Sequence, residues 1–247
     1  MQVGLTINKN ESLLPVTEEQ LRHSVYEILS VLAILSDSAH GHGEADTSCG
    51  VIEFFNEPEQ VRILENSLIW KYIVSMYQFA ELGEPLDIVE YHLWDMLGDL
   101  SKWIMATLPI LEYDGTPSDR SAIKVIYKFI ARLKLNYRWD FEGRYDPEDT
   151  PDPLPHSGAK NGINPLCSGP SISSSWYPDT HRRHLTLVEL ALLAGMGNIR
   201  SVRNAQFNKT DPLAFIKEGA QVLITVEEAR RWLKGRKGFV PTKGIQY

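Results

Sequence analysis

Residues 185–206 read LTLVELALLAGMGNIRSVRNAQ. Thr186 is followed three residues later by Glu189, the spacing at which a hydroxyl and a carboxylate together satisfy the free N–H groups of a helix start. Leu187, Leu190, Ala191 and Ala194 then recur on one helical face, with Leu193 on its flank. Gly195 stops that helix, because glycine enters the left-handed conformation of a tight turn at little cost. Asn198 caps a second short helix with Ile199, Val202 and Ala205 inward and Arg200, Ser201, Arg203, Asn204 and Gln206 outward. Two short helices joined by a glycine turn, the second displaying arginines and amides, describe a helix-turn-helix.

The residues that follow extend the pattern. Leu213–Lys217, then Glu218-Gly219, then Gln221–Ile224 predict a short hairpin around a glycine turn. Thr225 and Glu228 repeat the capping-box spacing, opening a helix through Ala229, Trp232 and Leu233 that ends at Gly235. Ala191 to Gly195-Met196, followed by Ser201-Val202-Arg203, resembles the Ala-x-x-x-Gly and buried-Val pattern of bacterial and phage helix-turn-helix proteins. Gly195 stands one residue farther from Val202 than in that pattern. With the hairpin and the last helix, residues 183–240 resemble the winged DNA-binding domain of the MerR and excisionase-like families. The resemblance implies duplex DNA as partner. Arg200, Ser201 and Asn204 would face bases, Arg203 toward the edge would meet a phosphate and Lys217 at the hairpin tip the adjacent backbone, with Gln206 and Lys209 also in the DNA-binding set.

Charge points the same way. Residues 180–247 hold twelve Lys/Arg against five Asp/Glu, a net +7, while the whole chain carries −7, so residues 1–179 carry −14. A basic module on an acidic body suits phosphate binding at one end only. An ordinary helical hairpin packed on a core does not account for that change of sign.

The whole 247-residue chain is 43% hydrophobic and 10% aromatic, enough for a real core. Thr17 and Gln20 cap a helix striped by Leu21, Val25, Ile28, Leu29, Leu32 and Leu35, ending near Ser36–Ala39. A second helix runs from Pro58 through Val61, Leu64, Leu68, Tyr72, Met76 and Phe79 to Gly83, and a third from Pro85 through Leu86 and Leu93 to Ile104. Pro109 and Asp114–Pro117 separate a fourth, residues 118–139, with Ile123, Ile126, Phe129, Ile130 and Leu133 inward. The expected fold is therefore mainly α: a helical bundle over 1–140, a Pro/Gly/Ser-rich strap or linker over 141–182, and a winged helix-turn-helix with a small β-hairpin over 183–247. Asp87, Glu90, Asp95 and Asp99 read as a solvated acidic face.

Other function classes find little in the residues. His40, His42, Glu44, Asp46 and Cys49 are all of metal-ligand type, but their spacing matches no specific site, so a polar loop is expected and no metal or cofactor. No nucleophile elbow, phosphate loop, dinucleotide fingerprint or His-Glu-x-x-His occurs, so no catalytic residues are assigned. Cys49 and Cys167 make no framework. With no signal-peptide pattern and no run of membrane-span length, a cytoplasmic protein is expected. The expectation is a sequence-directed regulator binding duplex DNA as a homodimer, its bundle dimerising or taking up a small-molecule or protein effector. The alternatives are an assembly module with a docking C-terminal part, and a helical enzyme using the His40–Cys49 loop.

Overall fold

A computed structural model of the chain describes residues 7, 11–40, 55–86, 90–112, 118–136, 184–245 and 247. The stretch from His42 to Cys49, the 141–182 segment and Cys167 lie outside the described residues.

The first helix, α1 (Glu18–His40), starts where the capping residues demand. Thr17 Oγ1 accepts from the Gln20 N–H at 3.2 Å, and Gln20 Oε1 accepts from the Thr17 N–H at 3.0 Å. Leu21, Val25, Ile28 and Val31 are buried, whereas Leu35 at the far end of the expected stripe is exposed. The single helix expected after Pro58 is two, α2 (Pro58–Asn66) and α3 (Leu68–Leu82). Ser67 breaks it by taking an extended backbone (φ −68°, ψ 147°), and its hydroxyl oxygen accepts from the Trp70 N–H at 3.1 Å to cap the new helix. Gly83, at φ +68°, closes α3.

Helix α4 (Glu90–Leu111) passes through Pro109, the residue expected to end it. Near a C-terminus the proline removes a single N–H, and Glu112 N–H donating to Leu108 O at 3.0 Å carries the last turn past it. Helix α5 (Ser121–Asn136) begins later than expected, where Asp119 Oδ1 accepts from the Ser121 N–H at 2.8 Å. Its sequence predicts one apolar face. In the fold every residue of α5 except Lys124 is buried, including Lys128, Arg132, Lys134 and Asn136.

The reason is position. Helix α5 lies between two layers, with α1 and α3 on one side and the C-terminal elements on the other. These elements are strand β1 (His184–Thr186), α6 (Leu187–Leu193) and α7 (Ile199–Asn204), which one 3-10 turn extends through Ala205–Phe207. Strands β2 (Ile216–Glu218) and β3 (Gln221–Thr225) and helix α8 (Val226–Leu233) follow. The sheet is antiparallel in the order β1-β3-β2, with Leu185 opposite Ile224 and Lys217 opposite Val222. The expected two-stranded hairpin thus gains β1 as a third strand. Among the described residues the protein is mainly helical with this one small sheet.

Leu185, Leu190, Leu193, Val202 and Trp232 belong to the same buried cluster as Ile73, Phe79, Phe129 and Leu133. The stretches that the sequence divides as 1–140 and 183–247 therefore share one core. Their joint is polar as well as apolar. Arg132 donates to Val240 O at 2.7 Å, Thr242 Oγ1 at 2.9 Å and Ala80 O at 2.9 Å, and lies between the rings of Phe79 and Phe239. Lys128 reaches Glu81 at 2.5 Å, and burial pushes its ammonium pKa down while the Glu81 carboxylate pulls it back. Among the described residues no helix is long and apolar enough to cross a membrane.

Candidate nucleic-acid interface

The capping box read from Thr186 and Glu189 forms. Thr186 Oγ1 accepts from the Glu189 N–H at 3.2 Å, and Glu189 Oε2 accepts from the Thr186 N–H at 2.8 Å. The other oxygen, Glu189 Oε1, lies 2.8 Å from Lys134 Nζ of α5. One carboxylate thus starts α6 and ties it to the bundle. The box at Thr225 forms only in part. Thr225 Oγ1 accepts from the Glu228 N–H, but the Glu228 carboxylate turns away to the Ala214 N–H and Arg231.

The turn after α6 spans 194–198, and chain segments from both ends of the protein press on it. Gly195 has φ +64°, and a Cβ there would stand 2.9 Å from Gly238 O. A Cβ on Gly238 would in turn stand 2.4 Å from Ala194 O, so the two backbones touch. On the other flank Leu13 N–H donates to Gly197 O at 3.0 Å. These contacts hold the longer turn that separates Gly195 from Val202.

Asn198 Oδ1 caps α7, accepting from the Ser201 N–H at 3.0 Å and the Ser201 hydroxyl at 3.3 Å. Ser201 therefore already gives its hydroxyl proton to Asn198. Val202 is fully buried, while Arg200, Ser201, Arg203 and Asn204 are exposed. Helical spacing sets Arg200, Arg203 and Asn204 together on the face opposite Val202. Gln206, also exposed, comes four residues after Val202 and falls on that residue's side of the helix. Lys209 is exposed in the following loop, and Lys217 is exposed on β2, one residue before the pair Glu218–Gln221 that flanks the turn.

The cations of this part separate into two sets. Arg231 bonds Asp211 at 2.5 Å and Glu228 at 2.7 Å, Arg236 bonds Asp211 and covers Trp232, and Lys243 pairs with Glu84. Arg230 donates to Leu135 O at 2.7 Å. By contrast Arg200, Arg203, Lys209 and Lys217 make no ion pair or side-chain hydrogen bond among the described residues. The hydrogen bond from Arg231, with Arg236 beside it, holds the Asp211 carboxyl below its ordinary range. Arg231 and the Ala214 N–H do the same for Glu228. The structural arginines so occupy Asp211 and Glu228 and leave Arg200, Arg203, Lys209 and Lys217 uncompensated, along with the exposed Lys234 and Lys237.

One exposed side chain of this surface escapes a reading of charges and amides. Phe207 is 74% exposed, the highest value among the exposed large hydrophobics of the described residues. It follows Asn204 by three residues and Arg200 by seven, so extending the helical periodicity one turn further would have found it.

Of the His40–Cys49 stretch only His40 is described, with its Nδ1 2.7 Å from Ser36 O. Among the described residues no three His, Cys, Asp or Glu side chains gather as a metal site would need. No protein-family model matches the chain, and no curated protein or solved structure matches it.

Proposed function

We propose that this protein binds duplex DNA in a sequence-directed manner, as a bacterial or phage transcriptional regulator does, and acts by binding rather than catalysis. The observation that carries the reading is the outward face of α7. Arg200, Arg203 and Asn204 stand exposed opposite buried Val202, and the two guanidiniums have no partner among the described residues while neighbouring arginines are engaged. An unpaired arginine and an asparagine on one exposed helical face suit guanine and adenine edges in the major groove, each through two hydrogen bonds. Lys209 and Lys217 supply phosphate contacts on either side. A recognition helix this short reads few base pairs, so a homodimer on two half-sites ~34 Å apart is part of the proposal.

The test uses the full chain and a duplex selected from a random pool, with affinity measured across salt concentrations. Arg200→Ala and Asn204→Ala each cost about 1–3 kcal/mol on the selected site and leave non-specific binding nearly unchanged. Lys217→Ala weakens all duplexes alike and lowers the salt slope by roughly one. Arg231→Ala leaves the slope unchanged, because that guanidinium is already committed to Asp211 and Glu228. If folded variants of Arg200, Arg203 and Asn204 all bind every duplex as the parent does, the reading fails and the assembly-module alternative takes its place.

A further inference from the structure

We propose that Phe207 is a base-reading residue of this surface, packing its ring on the C5-methyl group of a thymine in the major groove. The inference rests on the DNA-binding reading above and deepens it.

Three observations converge on Phe207. Its side chain stands on the same helical face as Arg200 and Asn204, since α7 and its 3-10 extension run without a break from Ile199 to Phe207. The three residues are spaced i, i+4 and i+7. At about 1.5 Å per residue in α7 and about 2 Å in the 3-10 turn the stripe is ~12 Å long, roughly three to four base-pair steps.

The position is also firmly held. Asn208 N–H and Leu213 N–H both donate to Ala205 O at 3.2 Å. Asn208 Oδ1 accepts from the Thr210 N–H, the Thr210 hydroxyl and the Asp211 N–H at 3.0, 2.9 and 3.3 Å. Asp211 is itself gripped by Arg231 and Arg236. A ring carried on so tied a backbone gives up only its own side-chain freedom on contact.

The surroundings name the ligand. Arg203 and Lys209, four residues before and two after Phe207, are exposed and unpaired among the described residues, and Asp211, the carboxylate nearest in sequence, is paired with Arg231 and Arg236. A polyanion with apolar groups recessed in a groove fits this setting, and the thymine methyl is the apolar group that duplex DNA offers there. Phe55 makes the contrast. It is 67% exposed but stands beside Glu57 and Glu59, where phosphate is repelled.

The experiment replaces each thymine of the selected duplex, one at a time, by deoxyuridine, which lacks only the methyl group. For the full chain one thymine per half-site is sensitive, within about four base pairs of the guanine that Arg200→Ala ceases to read, and its replacement lowers affinity about three- to fivefold, the worth of one buried methyl. Phe207→Ala binds the thymine and deoxyuridine duplexes equally, Phe207→Leu keeps part of the discrimination, and Phe55→Ala behaves as the parent. Methyl sensitivity that persists in Phe207→Ala overturns the inference, as does a parent insensitive at every thymine, with the DNA reading still standing through Arg200 and Asn204. A Phe207→Ala chain that loses self-association instead of methyl discrimination overturns it in favour of a protein contact. A parent that binds no duplex overturns both readings.

Discussion

Lys134 Nζ stands 2.8 Å from Glu189 Oε1, and neither side chain has any exposure to solvent. Lys134 belongs to the last turn of α5 and Glu189 to the first turn of α6, so a buried ion pair joins the bundle to the element that carries the candidate interface. Glu189 also receives the Thr186 N–H and is lodged against the Thr186 hydroxyl, which offsets part of the cost of removing its charge from water. The pair sets where α6 begins and which way it faces. The orientation of α7 follows through the pinned turn at 194–198.

Breaking that pair on one side costs more than removing it whole. Lys134→Met takes the Lys134 ammonium from a buried carboxylate and is expected to destabilise the chain by about 3–5 kcal/mol in denaturant unfolding. The double variant Lys134→Met with Glu189→Gln recovers most of the loss, because glutamine keeps the capping bond to the Thr186 N–H. A double variant no more stable than Lys134→Met would show that the charge is not what matters.

Because one core serves both ends of the sequence, residues 184–247 alone are not expected to fold. Removing α5 uncovers Leu185, Leu190, Leu193 and Trp232, and deprives Arg230 and Glu189 of Leu135 O and Lys134. The fragment should give no cooperative transition by circular dichroism, while calorimetry of the full chain should show the described elements melting together. A fragment with its own sharp transition would contradict a shared core.

Two glycines with nearly the same backbone should respond differently to alanine. A Cβ on Gly195 (φ +64°) would stand 2.9 Å from Gly238 O, whereas one on Gly219 (φ +57°), in the turn between β2 and β3, would meet only open space. Both substitutions carry the left-handed penalty of about 1–2 kcal/mol. Only Gly195→Ala adds a backbone clash, so its melting temperature should fall clearly further than that of Gly219→Ala.

The Asp211–Arg231–Glu228 cluster predicts an acid-side pH dependence. Asp211 is held low by the hydrogen bond from Arg231 and by Arg236, and Glu228 by Arg231. A carboxyl depressed in the folded state stabilises fully above its unfolded pKa of about 4, and that contribution fades as pH falls through the lowered folded value. The stability gap between the parent and Asp211→Asn should therefore be steady above about pH 5 and narrow below pH 4. A gap independent of pH down to acid unfolding would remove the ion pairs from the account.

Much of the local structure was legible in the chain itself. Thr17 with Gln20, Thr186 with Glu189, Asn198 and Gly83 all act where capping chemistry puts them, because a cap is decided by residues three or four apart. The outward face of α7 was readable for the same reason, as exposure there follows from Val202 being apolar among polar neighbours. Local patterns failed where a distant partner decides. Ser67 splits a continuous apolar stripe that sequence periodicity cannot distinguish from one helix. Helix α5 looks one-sided, yet Lys128, Arg132 and Lys134 are buried because Glu81, Thr242 and Glu189 arrive from elsewhere in the chain to meet them. A buried charge is tolerated only where its partner is in place, and such pairing over long sequence distance belongs to the tertiary structure. The same holds for which arginines are committed to the fold and which stand free. The sequence by itself determined the caps, the helices and the charge; the packing around α5 decided that they form one body.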